Sequence, residues 1–223
     1  MKLFNKICVP AALTLAMAAA VSCSDNDDEN AGWTELIKVA TYNIQYDNQS
    51  VEAGKWDNRK DLMQKMLKDC DFDIFGVQEP YKFQIDDIVS WFPEYGWVGA
   101  SISGESEKER VHYNPIFYRK DRFTVLDNGM FWYSETPDVV NSKGWDSYSV
   151  RMCNWVKFKD NRNGKIFFHF NSHFDHKGET ARLESAKLLV SKVKEIAADY
   201  PSFCTGDYNT DQTSAPYQII IMS

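Results

Sequence analysis

Two periods of apolar and polar residues run along this chain, and the switches between them mark its elements. Leu36 to Gln45 has the β-branched and aromatic make-up of a strand. Asp57 stands where a helix N-cap is expected, ahead of Leu62, Met63, Met66 and Leu67, which share one face at a helical spacing. Asp73 to Gln78 is a short apolar run of the kind buried on both faces, and a second helix is expected over Tyr81 to Phe92. Strand-like runs follow at Trp97 to Ala100, Pro115 to Tyr118, Phe123 to Trp132, Val150 to Lys159 and Lys165 to His173. Asn161-Arg162-Asn163-Gly164 joins the last two as a hairpin. Glu179 to Ala198 places Ala186, Leu189, Val193 and Ile196 in helical register and meets no breaker before Pro201, after which Pro201 to Thr205 leads into Asp207. Interleaved strands, hairpins and helices predict an α/β fold in which two sheets are covered by helices.

The first residues do not belong to that pattern. Lys2 and Lys6 precede an apolar stretch from Val9 to Val21 that is too short to span a bilayer, as in a secretory signal. The stretch closes on Ala20-Val21-Ser22-Cys23, which resembles a lipoprotein cleavage box with Cys23 as the lipidated residue. A plain secretory signal with an ordinary Cys23 thiol is the alternative. The expected organisation is a signal peptide over 1–22, an acidic flexible tether over 23–35 and one domain over 36–223. The protein would then be exported and anchored to a membrane by lipid, facing the periplasm or the cell surface.

Charge narrows the function classes. The chain carries 25 basic and 32 acidic residues, a net of −7. Sequence-independent nucleic-acid binders usually carry a basic stripe, and none is visible here, which argues against strong non-specific nucleic-acid binding. A small phosphoester remains compatible, and a monomer is expected. Cys70, Cys153 and Cys204 have no spacing that suggests a disulfide framework or a thiolate zinc site.

Candidate chemistry collects where strands end. Glu79 closes the apolar run Ile74-Phe75-Gly76-Val77-Gln78, where a carboxylate is costly to desolvate unless it is exposed, paired or bound to a metal. Asn43 ends the first strand, where a turn-forming role is the bland alternative. Along the run to His173, Ile166, Phe168 and Phe170 alternate with Phe167, His169 and Asn171, so the imidazole comes at a polar strand end and can donate to a phosphate oxygen. His169 reads as a satisfied strand histidine and His176 as a loop residue beside Asp175. Asp207 and Asn209 are two apart and share a side if the segment stays extended. Arg151, alone among Val150, Met152 and Cys153, is either a buried ion-pair partner or a phosphate clamp.

Thr41-Tyr42-Asn43, Gly76-Val77-Gln78-Glu79, Asn171-Ser172-His173 and Thr205-Gly206-Asp207-Tyr208-Asn209, in this order, resemble the endonuclease/exonuclease/phosphatase superfamily. The resemblance runs from about Lys38 to about Tyr217 and implies a four-layer sandwich of two mixed sheets flanked by helices. It implies a divalent-metal-dependent phosphoester hydrolase using Mg2+, with Mn2+ as a substitute. Glu79 and Asn43 would hold the metal, Asp207 would orient water, Asn209 and His173 would stabilise the phosphoryl group, and Arg151 would bind substrate. A lipid-anchored binding protein without turnover and a phospholipid-directed phosphodiesterase are the competing readings. The superfamily pattern also closes with a Ser-Asp-His, whereas the one Asp-His here is Asp175-His176 and the chain runs out in Tyr217-Gln218-Ile219-Ile220-Ile221-Met222. The expectation from that difference is a C-terminally incomplete domain with impaired turnover.

Overall fold

Four strands in each of two mixed sheets carry the fold, in a computed structural model that describes residues 36–222. The positions expected to form a signal peptide, a lipidated Cys23 and a tether lie outside the described residues. In chain order the elements are β1 (Val39–Asn43), α1 (Lys60–Cys70), β2 (Ile74–Gln78), α2 (Lys82–Trp91), β3 (Tyr95–Val98), β4 (Ile116–Arg119), β5 (Phe123–Trp132), β6 (Met152–Asp160), β7 (Ile166–His173), α3 (Glu179–Ala197), β8 (Ser202–Asp207) and α4 (Ala215–Ile221). The first sheet has the order β1-β2-β4-β3 and the second β5-β6-β7-β8. The β1–β2 and β7–β8 pairs are parallel and the other pairs antiparallel, so β1, β2, β7 and β8 all end at comparable edges of their sheets.

Three apolar clusters separate four layers. Phe75, Val77 and Phe117 of the first sheet pack under Met63 and Leu67 of α1 and Ile85 and Ile88 of α2. Phe168 and Phe170 of β7 and Cys153 of β6 pack under Ala186 and Leu189 of α3, with Ile219 and Ile220 of α4 joining them. Ile74, Ile116, Phe123, Val156, Phe158 and Phe167 lie between the sheets. Strand alternation explains the arrangement, since odd and even positions face opposite layers. This is the expected four-layer α/β sandwich.

Towards the ends of β2 and β7 the layer between the sheets becomes polar. Gln78 Nε2 donates to Asn171 Oδ1 at 2.6 Å and to Thr41 Oγ1 at 3.1 Å. Asn171 Nδ2 donates to the carbonyls of Val77 and Pro115, tying β7 to the first sheet. Asn154 of β6 donates to the carbonyls of Ala100 and Asn114. Gly76 permits this approach, because a Cβ there would fall 2.5 Å from Asn171 Oδ1. Gly206 does the same between β7 and β8, where a Cβ would meet the Ser172 carbonyl oxygen at 2.4 Å.

Three local expectations are corrected. Asp57 does not cap α1; it lies in a short 3-10 turn, Trp56–Asn58, and pairs with Lys60, while α1 begins after Arg59 with no side-chain cap. Leu62 is 71% exposed, because the buried stripe of α1 runs through Met63 and Leu67 with Met66 at its edge. Strand β1 is also shorter than the apolar run suggested, and Cys70, Cys153 and Cys204 are free thiols.

Candidate active site

A cleft of about 840 Å³ opens at the polar end of the sandwich. Asn43, Glu79, Arg151, His173, Asp207 and Asn209 all line it. Residues separated by as many as 166 positions thus meet because β1, β2, β7 and β8 end side by side.

Asn43 joins the two carboxylates. Its Nδ2 donates to Glu79 Oε1 at 3.1 Å and to Asp207 Oδ2 at 2.8 Å. Its Oδ1 accepts from the Gln45 backbone N–H at 3.0 Å, which sets the orientation of the amide. Glu79 holds a left-handed backbone with φ 71°, and its N–H donates to the Tyr113 carbonyl. Gln45 and Asn209 are left-handed too, at φ 55° and 47°. Non-glycine residues in that region cost free energy and persist where the surroundings over-determine them, as they do around this cleft.

His173 lies between the carboxylates and Arg151. Its Nε2 is 3.9 Å from Glu79 Oε1 and 3.8 Å from Asp207 Oδ2, and Arg151 Nη1 is 2.9 Å from both ring nitrogens. Burial, reinforced by the Arg151 charge, pushes the imidazole well below its ordinary value, so it is neutral at physiological pH. Arg151 directly precedes β6, is buried, and also meets His176 Nδ1 through Nη2 at 3.0 Å. Its Nε has no hydrogen-bond partner among the described residues and stands 3.6 Å from Asp175 Oδ2. That Nε is buried beside Asp175, so Arg151 bears on the cleft through its charge and its Nη groups.

Asp175 supports the wall instead of facing the cleft. Burial would raise its carboxyl, but N–H donors from Gly178, Ser149 and Lys177 hold it well below the usual carboxylate range. Asn209 follows β8 in a turn, so the extended geometry that would align it with Asp207 is absent. Its backbone N–H instead donates to Asp207 Oδ1 at 2.9 Å, and its Nδ2 donates to the Phe174 carbonyl, leaving the second N–H of that amide.

The Endonuclease/Exonuclease/phosphatase family model matches residues 40–221. The chain belongs to that family. Its members are hydrolytic phosphoesterases and generally depend on a divalent metal. A family protein from Bacteroides vulgatus is 42% identical with a TM-score of 0.79, over 84% of this chain and 71% of that one. A mannosyl-6-phosphatase from Bacteroides thetaiotaomicron is 39% identical with a TM-score of 0.78, over 84% of this chain and 70% of that one. An uncharacterised protein of Acanthamoeba polyphaga mimivirus is 31% identical over 188 residues, 78% of this chain and 68% of the relative. The chain spans only 28% of a CCR4-Not 3'-5'-exoribonuclease subunit from Aspergillus oryzae, at 26% identity.

Glu79 and Asp207 bring hard carboxylate oxygens to one amide, and no hydrogen bond engages Glu79 Oε2 among the described residues. No group of three or more His, Cys, Asp or Glu in ligand geometry occurs among the described residues. A cation such as Mg2+ keeps several waters and needs only one or two carboxylates, so Glu79 and Asp207 fit it, whereas Asn43 turns an N–H and not an oxygen towards them and orients the carboxylates instead of ligating.

The structure adds residues that sequence reading passed over. His112 and Tyr46 line the cleft, and His176 reaches it through Arg151 instead of standing idle in its loop. His169 is incompletely satisfied: Nε2 pairs with Thr205 Oγ1 at 2.7 Å, while Nδ1 has no partner among the described residues. Nothing local in the sequence signals His112, since it follows a polar loop and reaches the site through the pairing of Tyr113 with Pro80 and Glu79 and of its own carbonyl with the Ile102 N–H.

Proposed function

We propose that this chain is a divalent-metal-dependent hydrolase of phosphoesters, of the phosphatase type, with a sugar phosphate as its substrate. The observation that carries this reading is the convergence of Glu79, Asp207, His173 and Arg151 around the Asn43 amide in one cleft. The acidic balance and the absence of a basic stripe favour a compact phosphoester over a polynucleotide. The 39% identity to a mannosyl-6-phosphatase supports a sugar phosphate.

Glu79 would hold the divalent cation with Asn43 supporting it. That cation supplies Lewis-acid polarisation of a phosphoryl oxygen when bound. Arg151 would attract and orient the phosphoryl group as a buried charge held in place by His173, His176 and Asp175. His173, neutral at rest, donates a hydrogen bond to a phosphoryl oxygen from a ring held by Arg151. Asp207 would align a water and accept its proton. Asn209 offers its remaining amide N–H to the phosphoryl oxygens. The amino-terminal pattern supports export and lipid attachment at Cys23, where loss of membrane fractionation in Cys23→Ser is the corresponding test.

The test is hydrolysis of a phosphoester panel, comprising mannose 6-phosphate, bis-p-nitrophenyl phosphate, plasmid DNA and a phospholipid, with and without EDTA. Release of phosphate from the monoester that EDTA and Glu79→Gln both abolish is the expected result. Cleavage that survives both treatments, or no cleavage of any substrate, contradicts the proposal.

A further inference from the structure

Tyr46, Tyr81 and His112 line one part of the cleft without being needed for the phosphoryl chemistry. Their rings form a closed triangle, with centroids 5.0 Å apart for Tyr46 and His112, 5.6 Å for Tyr46 and Tyr81, and 5.7 Å for Tyr81 and His112. Tyr46 and His112 are stacked, at 27°, and Tyr81 is tilted against both, at 45° and 43°, so the three form a packed cup in the cleft wall and not a flat platform. All three are half-buried, and both tyrosines stand outside the apolar cluster under α1 and α2. Arg110 adds a guanidinium 5.9 Å from the Tyr81 ring.

The cup is braced from behind by polar groups that touch no substrate. Gln84 is fully buried, and its Oε1 accepts from both the Tyr81 and Asp47 N–H groups, at 3.0 and 3.1 Å. Its Nε2 donates to the Gln45 carbonyl, and Arg59 Nη2 donates to the Tyr46 carbonyl at 2.9 Å. Two loops far apart in sequence are thereby fixed with their aromatic residues facing the cleft. A wall ordered before binding loses less entropy when a ligand arrives.

We propose that Tyr46, Tyr81 and His112 form the subsite for the pyranose ring of a sugar phosphomonoester whose phosphate lies at Glu79, His173 and Arg151. The inference rests on the phosphoester reading above and deepens it. Aromatic faces are electron-rich and attract the C–H edges of a sugar ring. The C–H side of a puckered sugar ring can pack on any of these rings that is open to the cleft. The phenol and imidazole groups at the same wall can hydrogen-bond to ring hydroxyls.

Calorimetric titration of the full chain in Mg2+ buffer with inorganic phosphate, mannose 6-phosphate and adenosine 5'-monophosphate, the two esters supplied as their non-hydrolysable phosphonates, tests this. Mannose 6-phosphate is expected to bind at least about tenfold more tightly than phosphate. That advantage is expected to persist in Tyr46→Phe, which keeps the ring, and to disappear in Tyr46→Leu and His112→Leu, with circular dichroism checking that each variant is folded. Equal affinity for phosphate and mannose 6-phosphate in the unsubstituted chain overturns the proposal, as does an equal gain for the nucleotide or an advantage that survives both leucine variants. Failure of the hydrolase reading shows separately, as absence of Glu79-dependent turnover, while the binding comparison still decides the subsite.

Discussion

The layer between the two sheets is held together differently at its two ends. Away from the cleft, Ile74, Ile116, Phe123, Val156, Phe158 and Phe167 cohere by burial alone. Near the cleft, the inward positions become Gln78, Asn154, Asn171 and Thr205, and hydrogen bonds join the sheets. Burial is non-directional and tolerates small shifts, whereas hydrogen bonds weaken steeply with distance and angle. The apolar end therefore supplies cohesion, and the polar end sets position. Glu79 is one residue beyond Gln78, while His173 and Asp207 are each two residues beyond Asn171 and Thr205. The clamp lies directly behind the groups it must place.

Substitutions at the two ends should separate these roles. The largest effect is expected from Glu79→Gln, which should lower kcat/KM on the order of 10³-fold, equivalent to about 4 kcal/mol, with little change in Tm. Steady-state phosphate release and a thermal melt of the same preparation measure both, and a shared loss of activity and Tm would merge the two roles. Phe158→Ala at the apolar end should do the reverse, costing about 3–5 kcal/mol in urea unfolding while leaving kcat/KM per folded molecule near that of the parent. An activity loss larger than the unfolded fraction would break the distinction.

Asn171→Ala should affect both quantities more modestly. It removes one partner each from Gln78 Nε2 and from the Val77 and Pro115 carbonyls, while Gln78 Nε2 keeps Thr41 Oγ1 and the Pro115 carbonyl keeps the Val77 N–H, so the cost is about 0.5–1.5 kcal/mol per hydrogen bond lost. Activity should fall with it through misplacement of Glu79 and His173, and rescue of stability without rescue of activity at low temperature would localise the defect to position. At neutral pH the smallest effect is that of His169. Burial pulls its imidazole to about 3, so the unfolded chain takes up a proton that the folded one refuses. Its contribution is complete above the ordinary value of 6.5 and is lost as pH falls from there towards about 3. Urea midpoints should drop across that window, and less steeply in His169→Asn; identical slopes would remove His169 from the account.

Much of this was legible in the chain. The alternation of Phe167, His169, Asn171 and His173 with Phe168 and Phe170 already contains the change from apolar to polar on one face of β7, because strand geometry is local and has a period of two. The strand-end positions of Asn43, Glu79, His173 and Asp207 were readable for the same reason. Leu62 was misplaced because four apolar residues in two turns form a stripe wider than the surface α1 covers. Asp57 was misread because an Asx residue before a helix serves a preceding turn as readily as a cap.

The sequence by itself determined the element order, the α/β class and the residue types available for phosphoester chemistry, since these follow from local periodicity and strand-end polarity. Tertiary structure alone decided that Asn43 joins the Glu79 and Asp207 carboxylates, that Arg151 rests against His173 and His176, and that His112 closes an aromatic cup with Tyr46 and Tyr81. Those contacts cross 22 to 164 positions of chain. They depend on sheet order, register and the close approach that Gly76 and Gly206 allow, none of which is a property of a local stretch of residues.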